Sequence, residues 1–541
     1  MTLGEKIAYL RSEAHISQEA LAERLGCSRQ SVSKWELSEA IPGLEKIMML
    51  GSIFGVSYDD LLSESADIQN RKAPSPLKTN GLLPGKYFGT DGFRGEVNIN
   101  LTADQAFRVG RFIGWYYSER ASYGRRAKIL IGKDTRRSSY TLEYSIIAGI
   151  TASGADAYML HVTTTPSVSY IARTDGFDCG VMITASHNPY YDNGIKLING
   201  NGEKADDELT ALIELYLDEK LDTVGLGSTL PYASREGIGS IIDYTAGRNR
   251  YVGYLISLAS HSFKKLRIGL DCANGAAWTI ARSVFAALGA EIVAIGCEPD
   301  GLNINRGVGS THIEALGALV KKNRLDVGFA FDGDADRCIA VDSFGKVIDG
   351  DKILYILAKR LKSRGALAGN KIAVTVMSNT GLIEALKSEG IECDITAVGD
   401  RFVYERMQER GYALGGEASG HIIMKKYATT GDGILTAIML CEEICDKKAR
   451  LDELSNGMRF YPMRLENVRV ADRDAVMNDE EIIEAAERVK REIGGNGKFL
   501  LRKSGTEPLI RIMAECESDE LCRGYIKEIL EIIRRKGYAC E

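Results

Sequence analysis

Apolar and polar positions fall into two regimes along this chain. In the first sixty or so residues, short apolar segments sit between turn and cap residues, and they read as helices. Thr2 and Glu5 have capping-box spacing and open a first helix through Leu10. Ser17 caps a second, Gln18 to Leu25, which Gly26 ends. Ser28 caps a third, Arg29 to Leu37, and two more follow around Leu44 to Phe54 and Tyr58 to Leu62. Later the pattern changes. Lys128–Gly132, Gly180–Ile183, Leu266–Asp271 and Lys371–Val376 are short apolar runs that read as buried strands. Three of them, the runs opening at Lys128, Leu266 and Lys371, are each followed by a small-residue turn, a helix and another strand. That alternation predicts three related α/β units with parallel, covered sheets. The last 80 or so residues read helix (Asp479 to Glu492), strand (Lys498 to Leu501), strand (Leu509 to Ala514), helix (Asp519 to Arg535), a smaller α+β unit.

The predicted organisation is a helix-turn-helix domain at 1–63 and a Pro/Gly-containing linker at 64–84. Four units follow, at 85–240, 241–342, 343–455 and 456–541. A length of 541 residues requires several cores. A net charge of −6 gives no whole-chain field toward nucleic acid or anionic membrane. No apolar run approaches the ~18 residues of a membrane span, and the N-terminus lacks the apolar core of a signal peptide. The 11 cysteines are odd in number and never spaced C-x-x-C, as in reduced cytoplasmic proteins.

Chemistry concentrates at turns. Thr184-Ala185-Ser186-His187-Asn188-Pro189 puts a serine at a strand end with an imidazole beside it. No G-x-S-x-G elbow is present, which argues against acyl transfer. Asp332-Gly333-Asp334-Ala335-Asp336-Arg337 offers carboxylates at i, i+2 and i+4, which converge if the loop is extended and suit a hard cation. An EF-hand would need glycine and glutamate where Arg337 and Ser343 stand. Arg337 reads as a phosphate or sugar contact. Leu501-Arg502-Lys503-Ser504-Gly505-Thr506-Glu507-Pro508 combines cations, hydroxyls and a glycine-permitted amide nest, with Arg502, Ser504, Gly505 and Thr506 as donors to a phosphate dianion. In Gly415-Gly416-Glu417-Ala418-Ser419-Gly420-His421, Glu417 and Ser419 suit sugar hydroxyls and His421 a proton. Arg94, in Tyr87–Gly95, and Lys196, ten residues past Ser186, could hold a phosphoryl group. Asp400-Arg401 is a weaker candidate. Together these read as a serine that carries phosphate beside a metal.

In this order, the five segments resemble those of the phosphohexomutase superfamily across about residues 86–541. Phe88–Gly95, Tyr190–Gly194 and Arg502–Pro508 are most similar to its phosphoglucosamine mutase branch. The resemblance implies four domains around one cleft. It implies a phosphorylated Ser186, Mg²⁺ held by Ser186, Asp332, Asp334 and Asp336, and a glucosamine (hexose) 1,6-bisphosphate as intermediate and activator. Lys196, His187 and His421 are the candidates for proton handling, and the residues do not rank them. The implied reaction interconverts glucosamine 6-phosphate and glucosamine 1-phosphate. Phosphomannomutase or phosphoglucomutase activity is the alternative, and a sugar-phosphate-sensing transcription regulator the alternative of another class. That branch usually has glutamine where this chain has Ala418, and glycine where it has Ala335. A fused helix-turn-helix is atypical.

Residues 17–36 resemble the phage-repressor helix-turn-helix, which implies Arg29, Gln30, Ser31, Ser33 and Lys34 facing DNA. Residues 1–65 hold 6 Lys+Arg against 10 Asp+Glu, a net −4 that works against phosphate contact. Arg11, Arg24, Arg29 and Lys34 are the cations expected near the motif. Such modules commonly form homodimers, but no dimer surface is visible in the sequence.

Overall fold

The computed structural model describes residues 2–13, 16–54, 56, 61–62, 85–89, 91–121, 125–227, 229–495, 497–503 and 509–540. The N-terminal unit has helices Leu3–Glu13, Gln18–Leu25, Arg29–Glu36 and Leu44–Phe54. Its first turn is capped reciprocally: the Thr2 amide donates to Glu5 Oε2 at 2.7 Å and the Glu5 amide to Thr2 Oγ1 at 3.3 Å. Gly26 ends the second helix at φ +60°, and the Ser28 hydroxyl accepts the Ser31 amide at 3.2 Å. Leu21, Leu25, Val32, Trp35, Ile47 and Leu50 form a small separate core. Residues 61 and 62 are helical. The rest of the expected Tyr58–Leu62 helix and the expected linker lie outside the described residues.

Three sheets follow, and one motif repeats in them. In the first, strands Asp192–Asn199, Cys179–Ile183, Lys128–Lys133 and Asp156–Val162 lie side by side in that order. In the second the order is Cys338–Asp342, Val327–Phe331, Arg267–Asp271, Glu291–Ile295. In the third it is Ile422–Met424, Leu414–Gly416, Lys371–Thr375, Glu392–Thr396. Each time the last three are parallel and the first runs antiparallel to its neighbour. The three related α/β units are therefore present, but each sheet is mixed rather than all parallel. The antiparallel hairpin of each unit turns at residues 184–191, 332–337 and 417–421, so three of the expected chemical segments occupy one topological position.

The final unit is a three-stranded antiparallel sheet, Met463–Arg469, Leu509–Glu515, Lys498–Lys503, under helices Glu480–Ile493 and Asp519–Arg535. The sequence pattern gave no signal for Met463–Arg469, whose side chains are exposed at all but Val468.

Packing separates these parts. One continuous apolar core runs through all three α/β units, from Leu130 through Phe329 to Ile438. The final unit has its own core, Val468 to Ile533. It meets the third unit through polar groups: the Thr380 amide donates to Glu515 Oε1 at 2.8 Å, and Lys498 Nζ donates to the Ser378 carbonyl. A polar seam between two cores suits rigid-body motion. No described helix is long and apolar enough to cross a membrane.

Candidate active site

The loop that carries Ser186 starts from a fully buried strand, Cys179–Ile183. Thr184 donates its hydroxyl to Asp134 Oδ2 at 2.8 Å and accepts the Ser186 amide at 2.9 Å. Ser186 sits at φ +51°, a left-handed conformation that costs a non-glycine residue ~1–2 kcal/mol. Neighbours hold it there. Arg136 Nη2 donates to the Ser186 and Asn188 carbonyls at 2.9 and 3.0 Å. Arg136 is in turn fixed by Asp134 at 2.8 Å, both side chains fully buried. The Ser186 hydroxyl, 1% exposed, donates to Asp332 Oδ2 in a short hydrogen bond.

The second loop brings Asp332, Asp334 and Asp336 together, with one carboxylate oxygen from each within 4.8 Å of the others. Among the described residues this is the one group of three potential metal ligands. The convergence expected from the sequence is present, but not for the expected reason. The loop is a turn rather than an extended segment: Ala335 lies at φ +57° and its amide returns to the Asp332 carbonyl at 3.1 Å. That left-handed position is where glycine, usual in the resembling branch, carries no steric cost. Gly333 is required for another reason, since a Cβ there would stand 2.5 Å from the Ser186 carbonyl oxygen.

All three aspartates are buried. Burial, then the charges of Asp336 and Asp334, push the Asp332 carboxyl well above its usual range. Lys196 Nζ lies 2.8 Å from Asp334, 3.1 Å from Asp336 and 3.4 Å from Asp91. Burial opposes its charge, but Asp334, Asp336 and Asp91 prevail and keep it an ammonium. Arg337 Nε lies 3.9 Å from Asp336, yet Oδ1 of Asp334 and of Asp336 are buried without a hydrogen-bond partner. Orphaned hard oxygens in an acidic pocket fit a divalent cation.

His187 Nδ1 is 3.5 Å from the Ser186 hydroxyl and accepts Arg337 Nη1 at 3.1 Å. Burial, then Arg337 and Arg94, lower its pKa to about 4, so the ring is neutral at pH 7. Arg94 pairs with Asp91 and reaches Asn188 Oδ1 at 3.5 Å, over the serine loop.

The third unit is tied to the aspartate loop through backbone. The Cys338 amide donates to the Gly420 carbonyl, and the Gly433 amide to Ala335, both at 3.0 Å. Glu417 Oε1 accepts the Gly399 amide at 3.1 Å, and Ser419 is exposed. His421 Nε2 accepts the Gly431 amide at 3.0 Å, and its Nδ1 lies 3.7 Å from Asp336. The ring is thus held in one tautomer with Nδ1–H toward Asp336, a supporting geometry for that carboxylate. Asp400 pairs with Lys204 at 2.6 Å, and both line a cavity of about 420 Å³ with Arg401, Tyr404, His421 and Thr430.

Arg502 stands opposite Arg511 across the final sheet, and burial, then that second guanidinium, lowers its pKa. Two facing cations favour an anion between them. Ser504, Gly505 and Thr506 lie outside the described residues. In the N-terminal unit, Gln30 and Lys34 are exposed and Ser33 partly so, on the helix face opposite Val32 and Trp35. Arg29 pairs with Glu19 at 3.0 Å, and the Ser31 hydroxyl bonds Ser28 at 2.9 Å. Arg11, expected to be available to phosphate, instead forms a forked pair with Glu36 and donates to the Ile16 carbonyl at 2.9 Å.

Asp134, Arg136 and Thr184 were not singled out from the sequence, because a charged pair in a turn reads as solvated surface. Asp134 and Arg136 follow the buried run Ile129–Gly132 and Thr184 the run Gly180–Ile183, at neighbouring strand ends, and that position was the available signal.

Four stretches match parts of one family: "Phosphoglucomutase/phosphomannomutase, alpha/beta/alpha domain I" at 85–223, domain II at 249–345, domain III at 349–461 and the C-terminal domain at 465–532. Residues 7–61 match the family described as Helix-turn-helix. The phosphoglucosamine mutase of Lachnospira eligens is 58% identical over 84% of this chain and 100% of its own length. That of Lachnoclostridium phytofermentans is 52% identical over 84% and 99%. The crystal structure of a phosphoglucomutase/phosphomannomutase family protein from Burkholderia thailandensis superposes with a TM-score of 0.68 at 25% identity, covering 84% of this chain and 99% of that one. With its serine hydroxyl seated on three clustered aspartates and four successive domain matches, this chain belongs to the phosphoglucomutase/phosphomannomutase family of phosphohexomutases and carries a helix-turn-helix unit at its N-terminus.

Proposed function

We propose that this enzyme interconverts glucosamine 6-phosphate and glucosamine 1-phosphate, with Ser186 as the phosphoryl carrier. The observation that carries the reading is the Ser186 hydroxyl bonded to Asp332 inside the aspartate cluster. The choice of glucosamine over glucose or mannose rests on the phosphoglucosamine mutases that match at 58% and 52% identity.

Phosphorylated Ser186 gives its phosphoryl group to the free hydroxyl at one end of the sugar phosphate. The Oγ–P bond breaks, a sugar O–P bond forms, and the sugar hydroxyl proton ends on the freed Ser186 Oγ, giving a 1,6-bisphosphate and an unmodified serine. After that intermediate turns in the cleft, its other phosphate returns to Ser186. Asp332, Asp334 and Asp336 with the phosphoserine would hold Mg²⁺, which supplies charge neutralisation during transfer. Lys196, kept cationic by its carboxylates, contributes positive charge rather than a base. His187 and His421 remain the candidates for moving the proton. Arg94 and Arg337 orient the transferring group, Glu417 and Ser419 read the sugar hydroxyls, and Arg502 with Ser504, Gly505 and Thr506 holds the non-reacting phosphate. A polar seam lets the final unit loosen while the intermediate turns.

The test compares kcat/KM for glucosamine, glucose and mannose phosphates, with and without a trace of hexose 1,6-bisphosphate. Equal or faster turnover of glucose phosphate rejects the glucosamine assignment.

A second activity is favoured by the N-terminal unit: sequence-specific DNA binding, with Gln30, Ser33 and Lys34 presented on one exposed helix face. Selection of bound sequences from random DNA at moderate salt tests it, and no enrichment argues against it.

A further inference from the structure

The carbonyls that fix the nucleophile loop are gripped from two sides. Arg136, from the same unit, is one side. Asn305, from the unit that carries the aspartates, is the other. Asn305 Nδ2 donates to the Ser186 carbonyl at 2.8 Å and to the Asn188 carbonyl at 3.0 Å. Its backbone amide bonds the Ala273 carbonyl at 2.8 Å, and its side chain is 6% exposed. Gly333, between Asp332 and Asp334, faces the same carbonyl: a Cβ there would stand 2.5 Å from the Ser186 oxygen and 3.3 Å from Asn305 Nδ2. The left-handed turn at Ser186 is thus completed only where the two units meet.

We infer that Asn305 is a positioning residue for phosphoryl transfer, coupling the docking of the aspartate unit to the conformation that points the Ser186 hydroxyl at Asp332. A single NH₂ group that bonds two carbonyls across a domain boundary does more than fill a hydrogen-bond quota. It transmits the position of one loop to the other, so both reacting groups share one frame. This rests on Ser186 being the carrier, but its structural half does not.

Two measurements on Asn305→Ala and Asn305→Gln, in the full chain, test it. The first is amide hydrogen exchange across residues 184–191, which needs no substrate. Exchange is expected to quicken about 10-fold or more in Asn305→Ala, with the melting temperature little changed and Asn305→Gln closer to the parent. The second is steady-state turnover: kcat is expected to fall ~10- to 100-fold with KM changed less than about 3-fold, as for a misplacement of about 1 Å. Gly333→Ala, which crowds the same carbonyl, should quicken exchange in the same peptide. Unchanged exchange in Asn305→Ala, or a fall in kcat matched by an equal loss in Asn305→Gln together with a lowered melting temperature, overturns the inference. If the parent enzyme turns over no hexose phosphate while exchange responds as expected, the proposed reaction fails and the coupling of the two loops stands.

Discussion

The hydroxyl of Ser186 donates to Oδ2 of Asp332, 146 positions further along the chain and on a different sheet. Neither residue is reactive by itself. A serine needs help to act as a nucleophile, and a buried aspartate needs a counter-charge. Replacing Ser186 with alanine removes the carrier. Turnover should fall by roughly 10⁴-fold or more, on the scale seen for nucleophile removal elsewhere. Mass spectrometry of the parent should find phosphate on the peptide containing Ser186, and its absence there alongside full activity of Ser186→Ala would end the carrier mechanism.

The aspartate cluster should make turnover depend on a divalent cation. A chelator is expected to stop the reaction and Mg²⁺ to restore it. Asp334→Asn and Asp336→Asn should raise the Mg²⁺ concentration for half-maximal rate by about 10-fold or more. Equal Mg²⁺ dependence in parent and variants would remove the cluster from the ligand set.

Asp351 predicts a pH dependence of stability. It is almost fully buried in the first turn of the helix Gly350–Ser363, where Oδ2 accepts the Asn379 amide at 2.7 Å and Oδ1 has no partner. Burial raises its pKa to about 7, against partial compensation by that amide. The folded value therefore lies above the unfolded one. Its contribution is fully present below about pH 4 and is lost as pH rises through 7, a difference of about 4 kcal/mol. Melting temperatures of the parent should fall between pH 5 and pH 8. Asp351→Asn, which keeps an acceptor for Asn379, should flatten that slope; identical slopes would contradict it.

Helix-turn-helix affinity should depend weakly on salt. With Arg11 tied to Glu36, Arg24 and Lys34 remain near the third helix, together with Arg29, whose pair with Glu19 is solvent-exposed. Each neutralised phosphate contributes about −0.9 to the slope of log K against log salt, so the slope per domain should be no steeper than about −3. Fluorescence anisotropy from low to physiological salt measures it. Lys34→Ala should weaken all sequences alike, whereas Gln30→Ala should change sequence preference.

Much of the architecture was legible because burial writes itself into apolar runs. Cys179–Ile183 is buried at every position and Arg267–Asp271 at all but the first, and helix starts such as Ser28 announce themselves by caps. Met463–Arg469 escaped notice because an exposed strand bordering a small sheet has no apolar alternation to display. The site was legible as a set of residue types: serine, aspartates, lysine. Its supports were not. Asp134 and Arg136 look like surface charge until the fold buries them together. Asn305 looks like a turn residue until the second unit presents it to the first. Arg11 erred the other way, looking like a phosphate contact until Glu36 took it. Partners far apart in the chain leave no local trace, whereas strands and caps do.

Since the proposed carrier serine, the aspartate cluster and the proposed sugar-reading residues all ride on the same hairpin bend of a thrice-copied frame, chemistry and scaffold can be altered independently. Grafting residues 417–421 from a relative of different sugar preference would exchange only a fingertip. The palm, with its strands, shared core and carbonyl grips, would be inherited unchanged, and with it the aim of Ser186.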